Sequence, residues 1–586
     1  MTKFKLFLAL TFVSVAFISC DPSDTNGSSQ NDDTFAQNFG NSVSKDFIGQ
    51  VVDIDNHPIQ NAEIKIGSST VQTDVNGVFI INGAAVHEKF AYITATKAGY
   101  IDGSRAMVPT SGKNNVRIML IANTPLQTIQ SGVDSEVALP SGTKVAFDGE
   151  FQDENGNAYS GTVSVSMFHL LPSDENIDKL MPGMLYAQTK TNEEAVLETF
   201  GMLNVELRGS AGQKLNIELG HKAEITMKID DSQTATAPNT IPLWYFDEYR
   251  GYWKEDGVAR KIGNNYVGEV SHFSWWNCDV FSSVVSLTIT IVDINGNPLS
   301  NVGVGLVVNA TNFNSYTSFT DNQGQITGMI PANQTLTLNV FDICGNPSFT
   351  TQIGPFTANT VLPTITYESS STQAVKIEGS FVKCDGTLVT NGYVMLFNGS
   401  HLLISELDSG NYSFSTLACS SSNVFEVEGC DIENYQSTGR IAYNFNFPVT
   451  NINQLQSCDA VSEFVICKID NIGPRLFTST FNTQLITNGT NVGFDIIHSA
   501  GELFAISWSN PTFTSGTYTN NNFQMQTAYE GLGFMAYVGF TNSVMVYRVN
   551  KFGQAGDYID ITFDGTFDNF SGTHTISGMV HVIRDN

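Results

Sequence analysis

The stretch Ile241–Asp279, IPLWYFDEYRGYWKEDGVARKIGNNYVGEVSHFSWWNCD, decides how this chain is read. Four of the five tryptophans stand in it: Trp244, Trp253, Trp275 and Trp276. Acids (Asp247, Glu248, Glu255, Asp256) interleave with the rings, and Gly251, Gly257 and Gly263 mark short connections. Aromatic runs broken by glycine turns predict closely packed strands.

The rings have two readings. In a β-module most large aromatics fill the core. Stacked Trp and Tyr beside carboxylates also suit sugar recognition, with ring faces on apolar sugar faces and acids on hydroxyls. Two carboxylates could further serve glycoside hydrolysis. Alternation assigns Trp244, Phe246, Trp253, Phe273 and Trp275 to the core. It leaves Tyr245 and Trp276 as the exposed rings that would touch a ligand. His272 stands alone between strand residues and reads as structural.

Around this stretch the pattern stays β. Leu203, Val205 and Leu207 alternate, as do Ala223, Ile225, Met227 and Ile229. One helix is expected, Ser173–Leu180, between Pro172 and Pro182. The module spans 124–280. Its segments MPGML (Met181–Leu185), LETFGMLNVELRGSAGQ (Leu197–Gln213), IPLWYFDE and VSHFSWWNCD resemble a region of cartilage intermediate layer protein and astroprincin-type proteins. That resemblance implies an extracellular or surface setting and carries over no catalytic residue.

Upstream, 46–122 reads as a smaller module, with Ala62, Ile64 and Ile66 alternating between turns at 55–58 and 73–77. The pattern GxVVDxxxxPIxNAxIxI, then TDxNGxFxI and KAGY, resembles the carboxypeptidase regulatory-like domain. The resemblance implies a sandwich used as a spacer, and the chain lacks the zinc-ligand pattern of a peptidase. The same grammar returns downstream: Ile291–Leu299 matches Val51–Ile59, and Thr320–Gly324 matches Thr73–Gly77. A weaker copy starts at Gly379. Repeats are thus expected over 285–368 and 374–470, with a final β-module over 474–586. The fold class is all-β, tandem β-sandwich modules. The Asp-x-Asn-Gly patches read as turns, because Asp53, Asp55 and His57 run into Pro58 where a calcium loop needs Gly. No metal site and no cofactor is expected.

At the N-terminus, Lys3 and Lys5 precede the apolar run Leu6–Ile18, which ends in Phe17-Ile18-Ser19-Cys20. The run is too short to span a bilayer. It resembles a Bacteroidetes-type lipoprotein signal, residues 1–20, which implies lipidation at Cys20 and an anchor in the outer membrane, facing outward. Residues 21–45 read as a flexible tether.

Acidic residues number 57 against 28 basic, a net charge of −29. That excludes a nucleic-acid surface, which needs clustered Lys and Arg. With Cys20 given to lipid, seven of eight cysteines remain. Five of them, Cys384, Cys419, Cys430, Cys458 and Cys467, cluster in the third repeat and predict one or two disulfides there, with an odd thiol left over. No HExxH, GxSxG or phosphate-cradling loop occurs. The function expected is a non-enzymatic cell-envelope lipoprotein whose modules serve surface display, adhesion or partner binding. The alternative is a carbohydrate-binding lipoprotein for glycan capture, and a third reading is a hydrolase acting on a surface polymer. The expected partners are the membrane and a glycan or surface protein.

Overall fold

Apolar residues at every second position put one face of each strand into a core, and the chain pairs such faces into sandwiches. The structure is a computed structural model describing residues 32–585 apart from short internal stretches, the longest 527–540. Among the described residues no helix is long and apolar enough to cross a membrane.

The first module packs two four-stranded sheets. One runs Val78–His87, Ser42–Asp53, Lys113–Ala122, Tyr100–Ile101, and the other Ser69–Gln72, Glu63–Ile66, Ala91–Thr96, Gly103–Met107. Phe47, Val51, Ile64, Ile93 and Ile118 fill the space between them. Its first and last long strands, Ser42–Asp53 and Lys113–Ala122, lie parallel. The two later repeats reproduce this arrangement. Trp275–Val292 pairs parallel with Thr360–Val361 and Ile365–Thr366, and Ala374–Val382 pairs parallel with Val449–Gln456.

The repeats agree down to single hydrogen bonds. Val51 N donates to Gly77 O at 2.9 Å, and Ile291 N to Gly324 O at 2.8 Å. Thr73 Oγ1 donates to Ile59 O at 2.6 Å and accepts from Ala62 N at 2.8 Å. Thr320 Oγ1 does the same for Leu299 O (2.7 Å) and Val302 N (3.0 Å). In the third copy Phe381 N donates to Gly410 O at 2.8 Å. Glycine closes the first two turns for a steric reason. Gly77 and Gly324 have φ of 68° and 70°, and a Cβ there would lie 2.3 Å from Val51 O or 2.4 Å from Ile291 O.

The strand Trp275–Val292 organises the middle of the molecule. Its first half lies between Glu194–Gly209 and Thr240–Asp247. Its second half, from Val284, pairs with Gln325–Pro331 in the next module. A single unbroken strand therefore crosses 280–285, where the sequence suggested a break between modules. The alternation of the aromatic run simply continues through Val285, Leu287, Ile289 and Ile291, all buried.

Three further expectations are corrected. The tether ends before residue 45. Asp32–Phe35 and Ala36–Phe39 form helical turns, and Phe35 and Phe39, four apart, bury on one side beside Phe90, Tyr186 and Tyr252. The helix expected at Ser173–Leu180 is only the turn Ile177–Leu180. Phe464–Ile469, which carries Cys467, pairs with Gly572–Ile583 in the final sheet, so its backbone belongs with the C-terminal module.

Candidate functional site

The aromatic stretch folds as a centre strand with both faces covered. Leu243, Trp276 and Cys278 face one core with Leu203, Val205 and Ile225. Trp244, Phe246, Trp253 and Trp275 face a second core, shared with Val52, Ile101 and Met119 of the first module and with Ile177 and Leu180. The second core is the joint between the first and central modules. Trp244 Nε1 donates to Asp279 O at 3.1 Å, and Trp276 Nε1 to His272 O at 2.8 Å.

The expected exposed ring Trp276 is therefore a core residue, 1% exposed. Alternation between Trp275 and Trp276 is real, but the face opposite Trp275 is covered by the central module's own sheets rather than by water. Tyr245 is half-buried, 4.7 Å edge-on from His272 and 5.8 Å from Trp276. It packs in a small aromatic group and offers no flat platform with Trp276. Burial pushes the His272 pKa down, so its imidazole is neutral.

The neighbouring acids hold local structure. Asp247 accepts Arg250 N at 2.9 Å and Arg250 Nη1 at 3.0 Å. Glu255 accepts Lys190 N at 3.0 Å. Lys214 lies 3.2 Å from Glu248 and 3.9 Å from Glu206. Asp279 is completely buried, with its pKa pushed far up by desolvation, and it accepts Asn277 Nδ2 at 2.5 Å while Thr199 Oγ1 donates to Asn277 at 2.8 Å. Asp247 and Asp279 are buried, Glu255 is half-buried and Glu248 is exposed, and each is engaged by a neighbouring amide or cation.

The Asp53, Asp55 and His57 side chains do converge within 4.8 Å. Yet Asp53 Oδ1 is occupied by Asp55 N at 2.9 Å and His57 N at 2.8 Å. Asp293 repeats the pattern on Asn295 N and Asn297 N. Carboxylates spent on backbone amides are turn formers. Among the cysteines, Cys278 and Cys430 are buried free thiols, each with its pKa raised by burial, and Cys384 is disulfide-bonded. Cys430 is thus outside any bridge of the cysteine-bearing repeat. Cys20, Cys344, Cys419 and Cys458 lie outside the described residues.

A different place has the form of a site. A cleft of about 870 Å³ opens where the first module, the turn Ile177–Leu180 and the two following repeats meet. Arg105, Lys113 and Arg117 of the first module, Lys179 of the turn and His401 of the later repeat line it. Alternation on Lys113–Ala122 aims residues 113, 115 and 117 outward while 116 and 118 enter the core. Leu306, Phe313 and Met184 supply apolar wall. No local pattern marks these residues, because they come from four separate stretches.

No protein-family model matches the chain. It is similar to cartilage intermediate layer protein 2 of Mus musculus, 23% identical over 228 residues, which is 37% of this chain and 19% of that protein. The chain thus spans about one fifth of the length of the curated relative it matches. Among solved structures, the shaft pilin spaA from Lactobacillus rhamnosus GG is 10% identical, with 30% of this chain and all of that one aligned and a TM-score of 0.17. The Bacillus anthracis TIE protein is 12% identical over 62% of this chain and 69% of its own, with a TM-score of 0.14.

Proposed function

We propose that this chain is a non-enzymatic cell-envelope lipoprotein, anchored through Cys20 in the outer membrane and exposed at the cell surface. Its joined β-modules would display a surface for adhesion or partner binding. The observation that carries this reading is where the chain spends its chemistry. Of the tryptophans that could have formed a stacking surface, Trp244, Trp253 and Trp275 instead join the first and central modules and Trp276 fills the central core, while the acids beside them hold neighbouring amides and cations. The joints continue beyond the aromatic core. Tyr393 donates its hydroxyl proton to Asp74 at 2.5 Å, and Gly112 N donates to Asp321 at 3.0 Å. Ser300 Oγ donates to Ser415 O at 3.0 Å. A chain of modules docked in this way suits holding a surface away from a membrane. The partial match to a protein named for a cartilage layer fits an extracellular setting.

The test is cellular. The full chain is expressed in a diderm host with labelled palmitate, beside Cys20→Ala. Label and outer-membrane fractionation in the wild type, both lost in the variant, with protease cleaving the wild type on intact cells, is the expected result. Label-free protein in the soluble fraction, or protection from protease on intact cells, would overturn the anchoring or the exposure respectively.

A further inference from the structure

We infer that the inter-module cleft is a binding site for an acidic saccharide, its carboxylate held between Arg117 and Lys179 and its ring lying against the apolar wall. Three observations lead there. The first is size. About 870 Å³ exceeds what a lone carboxylate fills and falls within the range of pockets that enclose ligands of several hundred daltons.

The second is charge. The protein carries −29 overall, yet Arg105, Arg117 and Lys179 converge from two modules onto this cleft. Acids line it too: Glu175, Asp178, Glu198, Asp321 and Asp342. Most of these are already engaged. Asp321 accepts Gly112 N, Gln323 N and Gln325 N. Asp342 accepts Asn346 N at 2.9 Å. Burial pushes Glu198 up, toward its neutral form. Glu175 is exposed at the rim, and Lys113 is paired to Glu406. Asp178 is then the acid that offsets Arg117, and Asp178 with Glu175 offsets Lys179, whose Nζ also donates to Asn176 Oδ1 at 2.9 Å. Desolvation pulls the pKa of both cations down, and His401 is lowered first by its own burial and then by the charges of Arg117 and Lys179. Cations held this way, partly dehydrated and mutually repelling, gain when an anion arrives.

The third is an orphan donor. Arg117 Nε is enclosed without an acceptor among the described residues, and the hydrogen bond from its Nη2 to Asn56 Oδ1 is long at 3.5 Å. A buried guanidinium N–H left without a partner is costly unless something fills the place. Beside it the Asn115–Asn301 amide pair, 3.3 Å apart, offers the donor and acceptor edges that a sugar hydroxyl uses. Apolar wall, amide pair and paired cations together match a carboxylate-bearing pyranose better than a bare anion or an apolar ligand.

The experiment is calorimetric titration of the full chain in detergent with trigalacturonic acid, its fully methyl-esterified form, and acetate. Saturable binding of the acid, with roughly tenfold or greater weakening for the ester, for Arg117→Gln and for Lys179→Gln, is expected from loss of one charge-assisted contact. Acetate should bind far more weakly than the trisaccharide. Lys179 is half-exposed on a single turn, so its variant keeps the fold, and unchanged thermal unfolding confirms that for both. Equal affinity for acid and ester, unchanged affinity in both variants, acetate binding as tightly as the sugar, or no binding of the acid would each overturn the proposal.

Discussion

The aromatic stretch and the cleft differ in how they are built. The first is local: four tryptophans within one short run, all buried, with two cores sharing the strand between them. The second is assembled from residues far apart in sequence, each unremarkable where it stands. Density of rings in a β chain reports how much packing a region must do. It says little about binding, because the strand that carries the rings is the one most enclosed by neighbours. A site made between modules leaves no such mark, since what defines it is the way the modules dock.

If that contrast is right, substitutions in the two regions must fail differently. Trp276→Ala should have the largest effect, a loss of about 3–5 kcal/mol for emptying a fully buried indole. Urea unfolding followed by fluorescence of the remaining tryptophans reads it, and a loss under about 1 kcal/mol would return Trp276 to the surface. Gly324→Ala should cost about 1–3 kcal/mol, since a side chain at positive φ is strained and its Cβ would meet Ile291 O. The measurement is the same, with Gly77→Ala expected to match it because the turns are superimposable in their hydrogen bonds.

The joint between the first and fourth modules gives a smaller, pH-dependent test. Burial pushes the Asp74 carboxyl up to about 6, against the hydrogen bond from Tyr393. The folded state therefore favours the neutral acid. Its contribution is complete below the unfolded value of 3.8 and is lost as pH rises through about 6. Thermal unfolding should accordingly fall between pH 4 and pH 7 in the wild type and flatten in Asp74→Asn; equal slopes would remove Asp74 from the account. Tyr393→Phe, which also loses the Asn76 contact at 3.0 Å, should cost about 1–2 kcal/mol. The smallest effect belongs to the cleft. Arg117→Gln should change stability by less than about 0.5 kcal/mol, because its side chain serves no core. A loss comparable to that of Trp276→Ala would make it structural and erase the contrast.

Much of the fold is legible in the sequence for the same reason. Period-two alternation fixes which residues face inward, and Asp, Asn and Gly at matching offsets betray the repeated turns, down to Thr73 and Thr320. What alternation cannot report is the number of layers beyond it. Trp276 was expected outside because Trp275 was inside, and only the second covering sheet makes both true core residues. Phe35 and Phe39 were hidden by the polar residues around them; two rings at helical spacing sufficed to dock the segment. The candidate site was not legible at all. Lys113, Arg117, Lys179 and His401 share no motif, and their meeting follows from long-range docking.

The strand that runs without interruption from Trp275 to Val292 has a further consequence for inheritance. Repeats of this kind usually can be copied, lost or shuffled as cassettes. Here the first half of one cassette's opening strand completes its neighbour. A cut at 280–285 would strip Glu194–Gly209 and Thr240–Asp247 of their partner on one side, or Gln325–Pro331 on the other, leaving naked edges that pair with whatever strand they meet. The central module and the repeat after it thus share one strand and form one physical piece.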